Sequence, residues 1–121
     1  MLHVRQELRR LAREAGLRLV DETKLVTVGS ELARNILKYA GSQGGRMRVD
    51  RISEGRRNGL RATFADQGPG IADISLAMKD GFSSSGSLGL GLPGSKRLVD
   101  EFSLQSAIGA GTTVTIVKWI P

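Results

Sequence analysis

The sequence predicts an α+β fold in which a mostly antiparallel sheet carries helices on one face. Three observations predict it: two stretches of helical periodicity come first, two pairs of alternating segments follow, and a third helical stretch separates the pairs. Residues 3–15 set Val4, Leu8, Leu11 and Ala15 at helical spacing with arginines between them, and Gly16 follows as a stop. From Glu22 to Ala40, Leu25, Val28, Leu32, Ile36 and Tyr39 share one face before Gly41.

The first strand pair is read from Met47, Val49 and Ile52, a turn over Gly55 to Gly59, and Leu60, Ala62 and Phe64 running into Asp66. Residues 72–79 suit a short helix, and Gly81 to Ser87 has neither period nor bulk, which describes a loop. A helix is expected from Gly91 to Glu101, where Leu92, Lys96, Leu98 and Val99 resume helical spacing and Pro93 sits in the first turn. The last pair is Phe102 to Ser106 and Thr112 to Trp119 around Gly109-Ala110-Gly111. No repeat or linker divides the chain, so residues 1–121 are expected to form a single domain, as the length also suggests.

Composition narrows the chemistry. With 40% hydrophobic but only 4% aromatic residues, the core must be built largely from Leu, Ile, Val and Ala. Cysteine is absent, which excludes disulfides, thiolate metal sites and cysteine nucleophiles and is compatible with a reducing cytoplasm, the expected location. No apolar run reaches membrane-spanning length. The net charge of +6 suits a polyanion, a nucleotide or an acidic protein. Its arginines are scattered, however, in small groups at Arg5, Arg9, Arg10 and Arg13 and from Arg46 to Arg57, without interleaved aromatics, so nucleic acid is not expected. The single histidine, His3, lies near the terminus and supports neither a phospho-acceptor nor a metal site.

Four constellations could carry chemistry. Glu31 and Asn35 are one helical turn apart, so an acid and an amide share a patch that Lys38 extends with a positive charge. Such a ridge offers a general base, a metal-binding oxygen and a phosphate partner; taken alone it is also an ordinary solvated helix face. Asp66-Gln67-Gly68-Pro69-Gly70 ends a strand in a turn whose glycines let a ligand approach the backbone, and an aspartate there can accept a hydrogen bond from an amino group such as that of adenine. Gly89 to Gly94 satisfies G-x-G-x-x-G, but a Ser/Gly loop precedes it where the dinucleotide motif needs a strand, and Gly94-Ser95-Lys96 reverses the order of a Walker A loop. What remains is a glycine loop opening a helix, whose free amides suit phosphates. Gly109-Ala110-Gly111-Thr112 alone reads as a hairpin turn.

In order and spacing these pieces resemble the GHKL ATPase superfamily. Glu31 to Tyr39 resembles its N box, Asp66 to Gly70 its first glycine box, Gly86 to Gly94 its second, and Gly109 to Thr112 its last. Ser30-Glu31-Leu32-Ala33-Arg34-Asn35, Asp66 to Ile71, Asp80-Gly81-Phe82-Ser83, Lys96 to Leu104 and Ile116-Val117-Lys118-Trp119 are similar to the anti-sigma regulatory factor family, in its switch-kinase branch. Members of that branch usually begin with a strand that is expected to be absent here.

The resemblance implies a two-layer α/β sandwich of the Bergerat type and an ATP-dependent serine/threonine kinase. It implies Glu31 as the base that takes the substrate proton and Asn35 as the ligand of Mg2+. Nucleotide binding falls to Asn35, Lys38, Asp66, Gly68, Gly70, Ile71, Ser84, Gly86, Gly89, Leu90, Gly91, Leu92 and Thr112. The implied partners are STAS-domain antagonist and scaffold proteins of a stressosome and a PP2C-type phosphatase. An ATP-regulated binding module that sequesters a sigma factor, and a detached histidine-kinase catalytic domain, are the alternatives.

Overall fold

The computed structural model describes residues 2–39, 45–66, 91–107 and 111–120; within these, the side chains of Leu2, residues 35–39, residues 91–93 and Ala107 lie outside the description. Its elements are α1 (Leu2–Ala15), α2 (Leu19–Tyr39), β1 (Gly45–Glu54), β2 (Arg57–Asp66), α3 (Gly91–Leu98), β3 (Glu101–Ala107) and β4 (Gly111–Ile120). The expected helix over 72–79, the loop from Gly81 to Ser87 and the Gly109-Ala110 turn lie outside the described residues.

Helix α1 ends where glycine permits it. Gly16 has φ of 90°, its N–H donates to the Arg13 carbonyl at 3.1 Å, and the Leu17 N–H donates to the Ala12 carbonyl at 3.0 Å. This is a Schellman closure, and buried Leu17 makes its customary apolar contact. Leu8 and Ala12 are fully enclosed while Val4 and Ala15 are partly so, and Leu11 is only half-buried; Ala12 therefore takes the place in the stripe that the spacing assigns to Leu11.

Helix α2 begins at Leu19 and not at Glu22. Leu19 and Val20 are 70% and 62% exposed, so its first turn carries no buried stripe by which periodicity could detect it. Asp21 and Glu22 in that turn complement the positive end of the helix dipole.

The sheet order is β1-β2-β4-β3, with every neighbouring pair antiparallel. Alternation places Leu60, Ala62 and Phe64 of β2 and Val114 and Ile116 of β4 on the face covered by the helices, where they meet Leu25, Val28 and Leu32 of α2 and Leu8 and Ala12 of α1. Met47, Val49, Phe102 and Leu104 continue that face onto the outer strands.

The first hairpin turns in two residues, Gly55 and Arg56, and not across Gly55 to Gly59. Gly55 alone has positive φ, at 61°, which is the type II′ pattern that matches strand twist. Gly59 lies inside β2 opposite Trp119, and a Cβ on it would meet Lys118 O and Trp119 Cε3 at 2.8 Å each. Its lack of a side chain admits the indole and has nothing to do with turning.

Helix α3 stops at Leu98, short of the expected Glu101. The Asp100 N–H donates to the Val117 carbonyl at 2.9 Å, and the Asp100 carboxylate accepts the Trp119 N–H at 2.6 Å. Both contacts commit Asp100 to β4 before another helical turn can form, and Glu101 opens β3.

Candidate functional site

Two contacts fix the run of α2 across the sheet. Near its start Asp21 pairs with Lys118 of β4 at 3.3 Å, and further along Gly29 lies over Phe64, whose Cζ is 3.5 Å from where a Cβ would stand. Lys118 lies beside Leu60 in the sheet and Phe64 two residues before Asp66, so α2 carries Glu31 and Asn35 toward the Asp66 end.

Gly29 sets how closely this can happen, since an added Cβ would fall 2.2 Å from Leu8 Cδ1. The next residue, Ser30, is buried; its hydroxyl donates to the Val26 carbonyl at 2.7 Å and accepts from Arg5 Nε at 3.0 Å. Helix α1 thus grips α2 immediately before the acidic residue.

Glu31 is 2% exposed. Arg34 Nη1 donates to Glu31 Oε2 at 3.1 Å, and Oε1 has no hydrogen-bond partner among the described residues. A buried polar atom left unpaired costs about 1–3 kcal/mol, more when charged, so an orphaned carboxylate oxygen on a tightly packed helix calls for an explanation beyond stability. Asn35 and Lys38 follow on the same helix at one and two turns, with their side chains outside the described residues.

At the end of the sheet, Gly45, Asp66, Thr112 and Ser106 form one row across all four strands. Asp66 is two residues beyond Phe64 and Thr112 two before Val114, so alternation points both to the helix-covered face. The Thr112 and Ser106 hydroxyls are 2.9 Å apart, and Ser106 also donates to the Gly111 carbonyl at 3.0 Å. Gly111 has φ of 79° and starts the strand that presents Thr112. Ser106 belongs to this row and is missing from the sequence-derived set; its position opposite Thr112 emerges only from the register.

Gly91 and Leu92 open α3, with Pro93 in its first turn, and Ser95 is fully buried. Gly68, Gly70, Ile71, Ser84, Gly86, Gly89 and Leu90 lie outside the described residues. Arg34 is the other residue that the motif reading passes over. Its signal was present in the spacing, because i and i+3 side chains meet on a helix.

A four-stranded antiparallel sheet with a helix layer on one face, a long helix bearing Glu31 and Asn35, and an aspartate at the sheet's end define a two-layer ATPase of the GHKL class. The sequence profile of the histidine kinase-, DNA gyrase B-, and HSP90-like ATPases matches residues 20–121, and the chain belongs to that family. It is 49% identical over 116 residues to the serine/threonine-protein kinase RsbT of Bacillus subtilis strain 168, a match covering 96% of this chain and 86% of the relative. Among solved structures it is similar to the mycobacterial sensor histidine kinase MprB, with a TM-score of 0.62 and 22% identity over 100% of this chain and 95% of that one. The catalytic domain of the histidine kinase ThkA gives a TM-score of 0.63 and 15% identity over 99% and 95%. At those identities the two structures speak for the fold alone, which is the α+β sandwich expected from the sequence. Among the described residues no helix is long and apolar enough to cross a membrane.

Proposed function

We propose that this chain is an ATP-dependent serine/threonine-protein kinase whose substrate is a hydroxyl on a STAS-domain antagonist protein of a cytoplasmic stressosome, and that the released kinase activates a PP2C-type phosphatase. Membership of the ATPase family and the extent of identity to a serine/threonine-protein kinase support the reaction class. The observation that carries the assignment to a residue is Glu31, enclosed to 2% exposure with one carboxylate oxygen held and the other unpartnered among the described residues.

Phosphoryl transfer asks a protein mainly for alignment and charge neutralisation. Glu31 Oε1 takes the proton of the substrate hydroxyl while the hydroxyl's own oxygen bonds to the γ-phosphorus and the bond from phosphorus to the ADP oxygen breaks. An unpaired oxygen on a buried, packed helix fits that task, since no existing hydrogen bond has to be given up. Asn35, one turn on, would hold Mg2+ through its amide oxygen together with the ATP phosphates, and the ion would neutralise their charge. Asp66 accepts the adenine amino group, Gly68, Gly70 and Ile71 line the base, and Thr112 adds a hydrogen bond beside it. Lys38 contacts phosphate, while the stretch containing Ser84, Gly86, Gly89 and Leu90, with Gly91 and Leu92 at the start of α3, covers the phosphates.

The test is transfer of label from γ-labelled ATP to a STAS-domain protein by the parent, Glu31→Ala and Asn35→Ala chains. Glu31→Ala should keep ATP binding and lose about 10²–10⁴ in rate. Asn35→Ala should lose magnesium-dependent nucleotide binding with an unchanged melting curve. Tight partner binding with no Glu31-dependent transfer would instead establish an ATP-regulated binding module.

A further inference from the structure

We infer that Arg34 is the positioning residue for Glu31 in phosphoryl transfer, an assignment that rests on Glu31 being the base. The two side chains lie three residues apart on α2, and Arg34 Nη1 meets Oε2 at 3.1 Å while Oε1 stays unpartnered among the described residues. The contact is therefore one-sided. It occupies one carboxylate oxygen, fixes the carboxylate plane and leaves the other oxygen to receive a proton.

An ordinary helical i, i+3 ion pair lies in solvent and stabilises its helix only weakly. This pair differs in exposure, since the Glu31 side chain is 2% exposed and that of Arg34 34%. Arg34 reaches inward from a half-open position to a carboxylate that water barely touches, and it is that carboxylate's partner among the described residues. Among the described residues every other ion pair on the two long helices joins carboxylates that are exposed, or, at Asp21 and Glu22, carboxylates with more than one cation. Among the described residues Glu31 pairs with one arginine. A guanidinium suits the task because its planar fork fixes direction as well as charge, whereas an ammonium supplies charge alone.

Arg34 does not touch the reacting atoms in this scheme and acts through Glu31, which makes the pair testable as a unit. The experiment measures kcat and KM for magnesium-ATP in transfer to a STAS-domain protein phosphorylated by the parent, using Arg34→Ala, Arg34→Lys, Glu31→Gln and the Arg34→Ala/Glu31→Gln double variant. Arg34→Ala should lower kcat by about tenfold to a hundredfold, the scale of a misplaced reacting group, with KM for ATP within about twofold of the parent, as befits a residue that contributes no ground-state binding. Arg34→Lys should recover part of that loss. In the Glu31→Gln background, Arg34→Ala should have no further effect, because residues that act as one unit are not additive.

Equal and additive losses in both backgrounds would overturn the inference and assign Arg34 an independent contact. So would a parent-like kcat in Arg34→Ala while Glu31→Gln is inactive. A fully active Glu31→Gln would sink the base assignment itself, an outcome distinct from either. Melting curves of the four variants separate a loss of fold from a loss of rate.

Discussion

Lys118 of β4 and Asp21 of α2 form an ion pair at 3.3 Å with side chains 10% and 8% exposed, and this pair ties the start of α2 to the sheet. Lys118 also meets Asp100 at 3.3 Å, directly after α3. Removing one partner of a buried pair costs about 3 kcal/mol when the other charge is left alone; Asp21 keeps Arg18 at 3.5 Å, so Lys118→Met should destabilise the protein by less than that. Asp21→Asn in addition should recover part of that loss, because the buried charge left to Arg18 alone is then gone. Urea unfolding midpoints of the two variants decide it, and equal midpoints for parent and Lys118→Met would show the pair to be dispensable.

The crossing of α1 over α2 predicts the behaviour of Gly29→Ala. Alanine is the better helix former by about 1 kcal/mol, yet the new methyl falls 2.2 Å from Leu8 Cδ1, and Leu8 is fully buried. Overpacking of this kind costs about 1–3 kcal/mol, so the net effect should be a lower melting temperature. A smaller side chain at position 8 should relieve the clash: Gly29→Ala should cost less in a Leu8→Ala background than alone. A rise in melting temperature on Gly29→Ala in the parent would contradict the described contact.

Asp66 ends β2 on the helix-covered face beside Thr112. If it accepts the adenine amino group, Asp66→Ala should weaken ATP and ADP binding alike, by about tenfold to a hundredfold for one hydrogen bond to a charged group. Titration calorimetry with both nucleotides measures this. A loss confined to ATP would mean that Asp66 meets the phosphates and not the base.

On the outer surface of α1, Arg10 bonds both Glu7 and Glu14. The hydrogen bond from Arg10 holds the Glu7 carboxyl below its ordinary value of 4.5. A carboxylate whose folded value is depressed stabilises the fold above its unfolded value and loses that contribution as the pH falls through the folded one. Glu7→Gln should accordingly lower the melting temperature slightly at pH 7 and not at all in acid below both values, the effect being small because the pair is exposed. A difference that persists at pH 2 would require another cause.

Most of the architecture was legible because periodicity reports burial. Leu8, Leu25, Val28, Leu32, Leu60, Ala62 and Phe64 were assigned to the inner face from spacing, and all are buried there. What escaped was set by contacts distant in sequence. Gly59 resembles a turn residue until Trp119 is seen opposite it, and Asp100 ends α3 through bonds to Val117 and Trp119 that no local pattern encodes. At the candidate site, the Glu31 and Asn35 spacing and the Asp66 turn stood out as motifs. The burial of Glu31, its single bond to Arg34 and the row joining Asp66, Thr112 and Ser106 depend on how α1, α2 and the sheet are stacked.

The family profile begins at residue 20, beyond the whole of α1. That helix nevertheless supplies Leu8 and Ala12 to the core, seats itself on Gly29 and reaches Ser30 through Arg5. Homology and folding thus draw their borders at different places in this chain. A fragment cut to the matched ATPase region would keep every motif residue and lose the wall against which α2 is braced.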